Sequence, residues 1–286
     1  MSMISPEKPA SGKPDISSFD QAPIMAGLYG DGIIAQKGAF PREMIADLYD
    51  DVMRLYPEAL KRPGGAVGRG RNRHYVEIHP EDIRCFEQIV THPWFVAVCE
   101  AVLGPNYRIV ELGFDVPNQG ALNQPWHRDF PAPEDTTIGR RLNSLAFNMT
   151  TVDVEPDMGP FEVAPGTQWD DPSEFEHGMF PPKELYARYE ARSSRKFPSM
   201  GDISARSALT IHRGTAHASA KPRPVLVIGV DAPSANNHER HDLQLTRAYY
   251  ESLPPYVQQH ILCRIVDKLE PIHQAHTIEG LMMGDA

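Results

Sequence analysis

Hydrophobic positions along this chain follow two different periods. "PREMIADLYDDVMRLY" carries Met44, Ile45, Leu48, Tyr49, Val52, Met53 and Leu55 at helical spacing, with Pro41 well placed for a helix start. "DGIIAQKGAF", just before it, has a short apolar core and predicts a strand ending in a turn. "THPWFVAVCEAVLG" predicts a second helix, with Thr91 as its cap, Pro93 in its first turn and Gly104 ending it. From Tyr107 to about Val230 the segments shorten and become β-branched. "YRIVELGFDV", "LNSLAFNMTTVDV", "SALTIH" and "PVLVIGV" read as strands between Gly, Pro and Asp turns. Helical texture returns in "LTRAYYESLPPYVQQHILCRIVDKL".

The pattern predicts helices packed around a central antiparallel β unit. One domain is expected over residues 25–286, with a β core at about 107–230 and a helical C-terminal segment at about 243–286. Residues 1–24, rich in Ser, Pro and Lys, read as a mobile tail. No internal repeat interrupts this parse.

Composition narrows the partners. With 286 residues, 41% hydrophobic and 23% charged, the chain suits a soluble globular protein with a sizeable core. A net charge of -10 disfavours nucleic acid and membrane surfaces, which bind through a basic field. No apolar run reaches membrane-spanning length, and the N-terminus lacks the apolar core of a signal peptide. The three cysteines, Cys85, Cys99 and Cys263, have no ligand-like spacing and read as free thiols of a cytoplasmic protein.

Candidate chemistry starts at "QPWHRDFPAP", residues 124–133. His-Arg-Asp opens the catalytic loop of protein kinases, but five residues after Asp129 stands Glu134 instead of Asn. The chain has no Asp-Phe-Gly, and "GRGRNR" lacks the last glycine of a phosphate-covering loop. His-x-Asp on an extended chain reads better as a pair of metal ligands, because positions i and i+2 point to one side and Arg128 to the other. A third ligand must then come from another strand. His212, closing the strand-like "SALTIH", is the best candidate, and Arg223 opens the next strand. Two histidines and one carboxylate on one face of an ion make the facial triad of non-haem Fe(II) oxygenases. A buried arginine such as Arg223 suits the far carboxylate of a bidentate 2-oxo acid. A zinc hydrolase would use similar ligands without needing that arginine. On this reading His212 and Arg223 face one cavity across a tight turn.

The chain resembles the phytanoyl-CoA dioxygenase-like branch of the Fe(II)/2-oxoglutarate-dependent oxygenases. The likeness lies in "DGIIAQKGAFPREMIADL", "THPWFVAVCEAVLGPNYRI", "WHRDF" and "MGPFEVAPGTQW", in that order, and in the eleven-residue interval from His212 to Arg223. It implies a mainly β fold with flanking helices, the double-stranded β-helix or jelly-roll, cupin-like barrel. It implies His127, Asp129 and His212 as iron ligands and Arg223 as the partner of the 2-oxoglutarate C5 carboxylate. Gln124 and a hydroxyl near Thr167 are implied as co-substrate contacts. "PGTQW" departs from the family, where a His commonly follows the "PGS/PGT" step.

The implied reaction couples oxidation of a small organic substrate, expected to be a natural-product intermediate, to conversion of 2-oxoglutarate and dioxygen into succinate and carbon dioxide. Hydroxylation is the usual outcome, while desaturation, epimerisation, cyclisation and endoperoxidation use the same ligands. A carboxylate at Asp129 argues against halogenation, which needs a small residue there to admit halide. The competing expectation is a non-catalytic jelly roll that binds metal or ligand. Retention of all three ligands and the arginine favours the enzyme.

Other features read more plainly. His217 has the wrong spacing to Arg223 for a ligand and takes a supporting or surface role; His74, His79 and His92 read as surface residues. Arg69, Arg71 and Arg73 form either a lid that grips an anion or a solvated loop, and the solvated loop is favoured, as charge runs usually are. Arg140 and Arg141 admit the same two readings, and Trp126 and Phe130 either line a pocket or pack the core. The C-terminal helices offer a face for a homodimer.

Overall fold

In the computed structural model the described residues are 12–235 and 240–274. In chain order the elements run α1 (Gln21–Gly30), β1 (Ile33–Gln36), α2 (Arg42–Leu60), β2 (Val67–Gly68), β3 (Arg73–Glu77), α3 (Phe86–Val90), α4 (Pro93–Leu103) and β4 (Arg108–Pro117). They continue with α5 (Glu134–Gly139), β5 (Ser144–Thr150), β6 (Phe161–Val163), α6 (Tyr186–Arg192), β7 (Ser194–Lys196), β8 (Ile203–Ser207), β9 (His212–Gly214) and β10 (Val225–Asp231). β11 (Gln244–Thr246), α7 (Arg247–Ser252), α8 (Pro255–His260) and β12 (Arg264–Val266) complete the chain.

Seven strands form an antiparallel sheet in the order β1-β8-β5-β10-β4-β3-β2, and a smaller sheet has the order β7-β6-β9. Alternation decides which face each side chain takes. Leu145, Phe147 and Met149 of β5, Leu226, Ile228 and Val230 of β10, and Leu112, Phe114 and Val116 of β4 join the core under α2 and α4. The intervening Asn148, Thr150, Val227, Glu111 and Asp115 face a cavity instead. The β4–β10 register shifts between Gly229 and Val230, skipping Val110. That bulge turns both Val110 and Glu111 toward the cavity.

The helices follow their sequence signals with local corrections. α2 begins after Pro41, and its Ile45, Leu48, Val52, Tyr56 and Ala59 are buried on one stripe. α4 starts at Pro93 and ends at Gly104, but its cap is His92, whose Nδ1 accepts the Trp94 N–H at 3.2 Å. Thr91 instead closes α3, donating its hydroxyl to Glu87 O at 2.7 Å. The expected mobile tail is too long: α1 starts at Gln21, capped by Asp20, and buries Ile24 and Leu28. Residues 1–11 of that tail lie outside the described residues, as does the end of the C-terminal segment from 275. What is described of the C-terminal segment is two short helices held between the parallel strands β11 and β12, not an extended helical region. No helix of the described residues is long and apolar enough to cross a membrane.

"SALTIH" is not a strand. β8 ends at Ser207, a turn closes with the Thr210 N–H on Ser207 O at 3.0 Å, and His212 begins β9. Because β8 belongs to the large sheet and β9 to the small one, this turn carries the chain across the barrel wall. Arg223 likewise lies ahead of β10, which starts at Val225. His212 therefore opens a strand of the small sheet, Arg223 lies in the segment leading into the large one, and the two do not face each other across a tight turn.

Candidate active site

Between the two sheets is a cavity of about 940 Å³ whose lining includes His127, Asp129, His212 and Arg223. The two histidines meet through their backbones. His127 N–H donates to His212 O at 3.0 Å and His212 N–H to His127 O at 2.9 Å, so the residues pair directly on an antiparallel bridge. Side chains paired this way project to the same face. Asp129, two residues on, is fixed by its N–H on Ala208 O at 3.0 Å. The ligand atoms of His127, Asp129 and His212 all lie within 4.8 Å of one another.

Both imidazoles are prepared for a cation. Their Nδ1 atoms face carbonyls, Pro125 O for His127 and Thr210 O for His212, each at 2.9 Å. A carbonyl can only accept, so Nδ1 carries the proton and Nε2 presents its lone pair to the cavity. Burial lowers the His127 pKa to about 4 and pushes His212 well below the ordinary histidine value, which keeps both neutral. Burial alone would raise Asp129, but the charge of the Arg206 guanidinium and the hydrogen bond it donates outweigh burial and hold the carboxyl below the ordinary aspartate value. Two neutral nitrogen donors and one carboxylate are the donor set that suits ferrous iron.

Arg223 is buried. Its Nε donates to Met158 O and one Nη to Gly159 O, both at 2.8 Å. No carboxylate among the described residues pairs with it, and its other Nη has no partner there. Arg73 lies close by, paired with Asp115 at 2.9 Å and donating to Thr215 O at 3.0 Å. Burial and the charge of Arg73 lower the Arg223 pKa to about 10. This end of the cavity holds two guanidiniums and one carboxylate, an excess of positive charge that suits an anion.

The remaining predicted residues fall variously. Gln124 lines the cavity, but its amide is engaged, donating to Arg69 O at 3.0 Å and accepting the Gly214 N–H at 2.8 Å. Thr167 does not line it; its hydroxyl donates to Ala164 O at 2.6 Å and accepts the Ile211 N–H at 2.9 Å. Arg69 and Arg73 overturn the solvated-loop reading, because both line the cavity on the β2–β3 hairpin, Arg69 over the Tyr75 ring at 5.0 Å; Arg71 is exposed. Arg140 and Arg141 are exposed. Phe130 lines the cavity, whereas Trp126 packs in a small separate core with Tyr189 and Ile211. His217 is buried away from the triad, with Nε2 against Lys221 O at 2.8 Å. His79 is also buried and His74 and His92 are part-buried, so none of the three is a free surface residue.

Sequence reasoning missed Arg206 and a polar cluster on β3 and β4. Arg206 pairs with Asp129 at 2.9 Å. In the cluster, Tyr75 donates to Glu111, and His241 lies 3.3 Å from Glu77 and 3.8 Å from Glu111. The signal for each was a charged residue within a strand-forming segment, Arg206 in "ISARS" and Glu111 in "YRIVELGFDV".

A barrel of two antiparallel sheets with His-x-Asp and a distal His inside it defines the class of non-haem iron, 2-oxoglutarate-dependent oxygenases. The model of the family "Phytanoyl-CoA dioxygenase (PhyH)" matches residues 28–225, and this chain belongs to that family. Solved structures share the fold. The epimerase SnoN, in complex with Fe3+, alpha ketoglutarate and nogalamycin RO, is 19% identical with a TM-score of 0.60, over 74% of this chain and 84% of its own. EctD from S. alaskensis, with 2-oxoglutarate and 5-hydroxyectoine, is 18% identical with a TM-score of 0.59, over 74% and 76%. AviO1 from Streptomyces viridochromogenes Tue57 is 18% identical with a TM-score of 0.56, over 76% and 96%.

Proposed function

We propose that this oxygenase hydroxylates a small organic molecule, a natural-product intermediate by class, using Fe(II), 2-oxoglutarate and dioxygen and releasing succinate and carbon dioxide. His127, Asp129 and His212 would hold the iron, which supplies the site for dioxygen activation when bound. Arg223 would pair with the C5 carboxylate of 2-oxoglutarate through the Nη that has no protein partner. The observation that carries this reading is the joint presence, in one cavity, of three converging donors and a buried arginine without a carboxylate.

The chain's own residues account for much of the preparation. Pro125 O and Thr210 O hold the imidazole protons on Nδ1, so no proton need leave before a metal binds. Met158 O and Gly159 O aim the Arg223 fork, which fixes where a carboxylate can sit. Gln124 acts through the strand it holds, keeping Gly214 in place two residues past His212. Thr167 likewise braces Ile211 and has no part in contacting co-substrate.

An anaerobic titration of metal-free protein with Fe(II) and 2-oxoglutarate tests the reading through the visible metal-to-ligand charge-transfer band. The wild type should develop the band and His212→Ala should not. Arg223→Ala should need about 10–100 times more 2-oxoglutarate, the scale of losing a charge-assisted pair. No band in folded, iron-replete wild type would overturn the proposal in favour of a non-catalytic jelly roll. Product analysis after a substrate screen then separates hydroxylation from desaturation, epimerisation and cyclisation.

A further inference from the structure

Asp129 has two carboxylate oxygens, and the structure treats them differently. Oδ1 lies 3.4 Å from His212 Nε2, on the side where the imidazole lone pairs converge. Oδ2 accepts a hydrogen bond from Arg206 Nη2 at 2.9 Å. Arg206 comes from β8, on the large sheet, and is buried. Its Nη1 donates to Ser207 O at 3.1 Å, and its guanidinium lies over the Phe161 ring at 5.7 Å. Phe161, from β6 of the small sheet, packs in turn on the His212 ring at 5.2 Å. The guanidinium is thus held on one side by its own strand and on the other by a ring that also braces a ligand. Its Nε is buried without a partner although the residue lines the cavity, so burial of this cation is not explained by protein hydrogen bonds alone.

We propose that Arg206 is a positioning residue that makes Asp129 a single-oxygen ligand and so keeps one coordination position open. The inference rests on the iron reading of the triad. In octahedral coordination, three protein donors and a bidentate 2-oxo acid leave one position for a gaseous co-substrate. A carboxylate free to chelate through both oxygens would fill it. Arg206 prevents this by engaging Oδ2 in a charge-assisted hydrogen bond whose geometry a rigid, buried fork maintains. Lysine can supply the same charge at Oδ2, whereas methionine fills similar space without a donor.

Nitric oxide reports the open position without turnover. Wild type, Arg206→Lys and Arg206→Met would each be loaded anaerobically with Fe(II) and 2-oxoglutarate. The charge-transfer band reads loading, and nitric oxide titration followed by electron paramagnetic resonance reads the free position. All three should show the band. Wild type and Arg206→Lys should bind nitric oxide alike, while Arg206→Met should bind it about tenfold or more weakly, the scale of one hydrogen bond to a charged group. Arg206→Leu, which also lacks a donor, takes the place of the methionine variant if that protein does not fold. Wild-type nitric oxide affinity in the donor-less variant would overturn the proposal. So would loss of the band from a folded variant, because Arg206 would then serve loading and not the open position. Absence of the band from wild type is a separate result, and it overturns the iron reading along with this one.

Discussion

Gln124 and Gly214 hold each other twice: the Gln124 backbone N–H donates to Gly214 O at 2.9 Å, and Gln124 Oε1 accepts the Gly214 N–H at 2.8 Å. These residues lie three before His127 and two after His212, so they tie the same two segments that carry the imidazoles. Gln124→Leu leaves a buried N–H without its acceptor. The expected cost is about 1–3 kcal/mol of stability, read by denaturant unfolding of the metal-free protein. A midpoint equal to wild type would show that this clasp contributes nothing.

Gly214 also marks a close approach. A Cβ added there would lie 2.6 Å from Arg73 Cζ, inside the guanidinium that reaches Asp115 and Thr215. Gly214→Ala must therefore displace a buried arginine, at about 1–3 kcal/mol by analogy with other overpacked sites. It should also weaken 2-oxoglutarate binding in the charge-transfer titration, because Arg73 neighbours Arg223 in the basic end of the cavity. Unchanged stability and unchanged binding together would show that the guanidinium moves aside freely.

Thr167 offers the opposite pattern. Thr167→Val removes the hydroxyl that accepts the buried Ile211 N–H and should cost about 1–3 kcal/mol. Its side chain does not line the cavity, so 2-oxoglutarate affinity in the folded variant should stay within about threefold of wild type. A large affinity loss with little loss of stability would restore it as a co-substrate contact.

Acid sensitivity of the metal-free protein follows from the buried imidazoles. His127 has a folded pKa of about 4 against an unfolded value near 6.5. Between these values the unfolded chain binds the extra proton, so stability rises with pH. The contribution is complete above about pH 6.5 and is lost as pH falls toward 4, amounting to about 3 kcal/mol for this one group. His212 is shifted in the same direction and adds to the effect. Unfolding curves at pH 7.5, about 6 and about 5 should show falling stability; His127→Gln, lacking the titrating ring, should flatten the slope.

What the sequence determined by itself was local. The i and i+2 spacing of His127 and Asp129, the period of "EMIADLYDDV" and the Pro93–Gly104 bounds of α4 each depend on a few adjacent residues and were legible as such. The likeness in order and spacing of the short motifs gave the family, which the match over residues 28–225 bears out. Boundaries at the barrel corner were not legible, because "SALTIH" has strand composition but must turn to cross from the large sheet to the small one. Tertiary structure alone decided the charges. Whether Arg69, Arg71 and Arg73 meet solvent or cavity depends on the β2–β3 hairpin's place at the sheet edge, far from the triad in sequence. Arg206 and Asp129 lie 77 residues apart and meet only because two sheets close on each other. A charge inside an apolar strand announces that it needs a partner, since burial without one is costly. Only the closed barrel says which partner it finds.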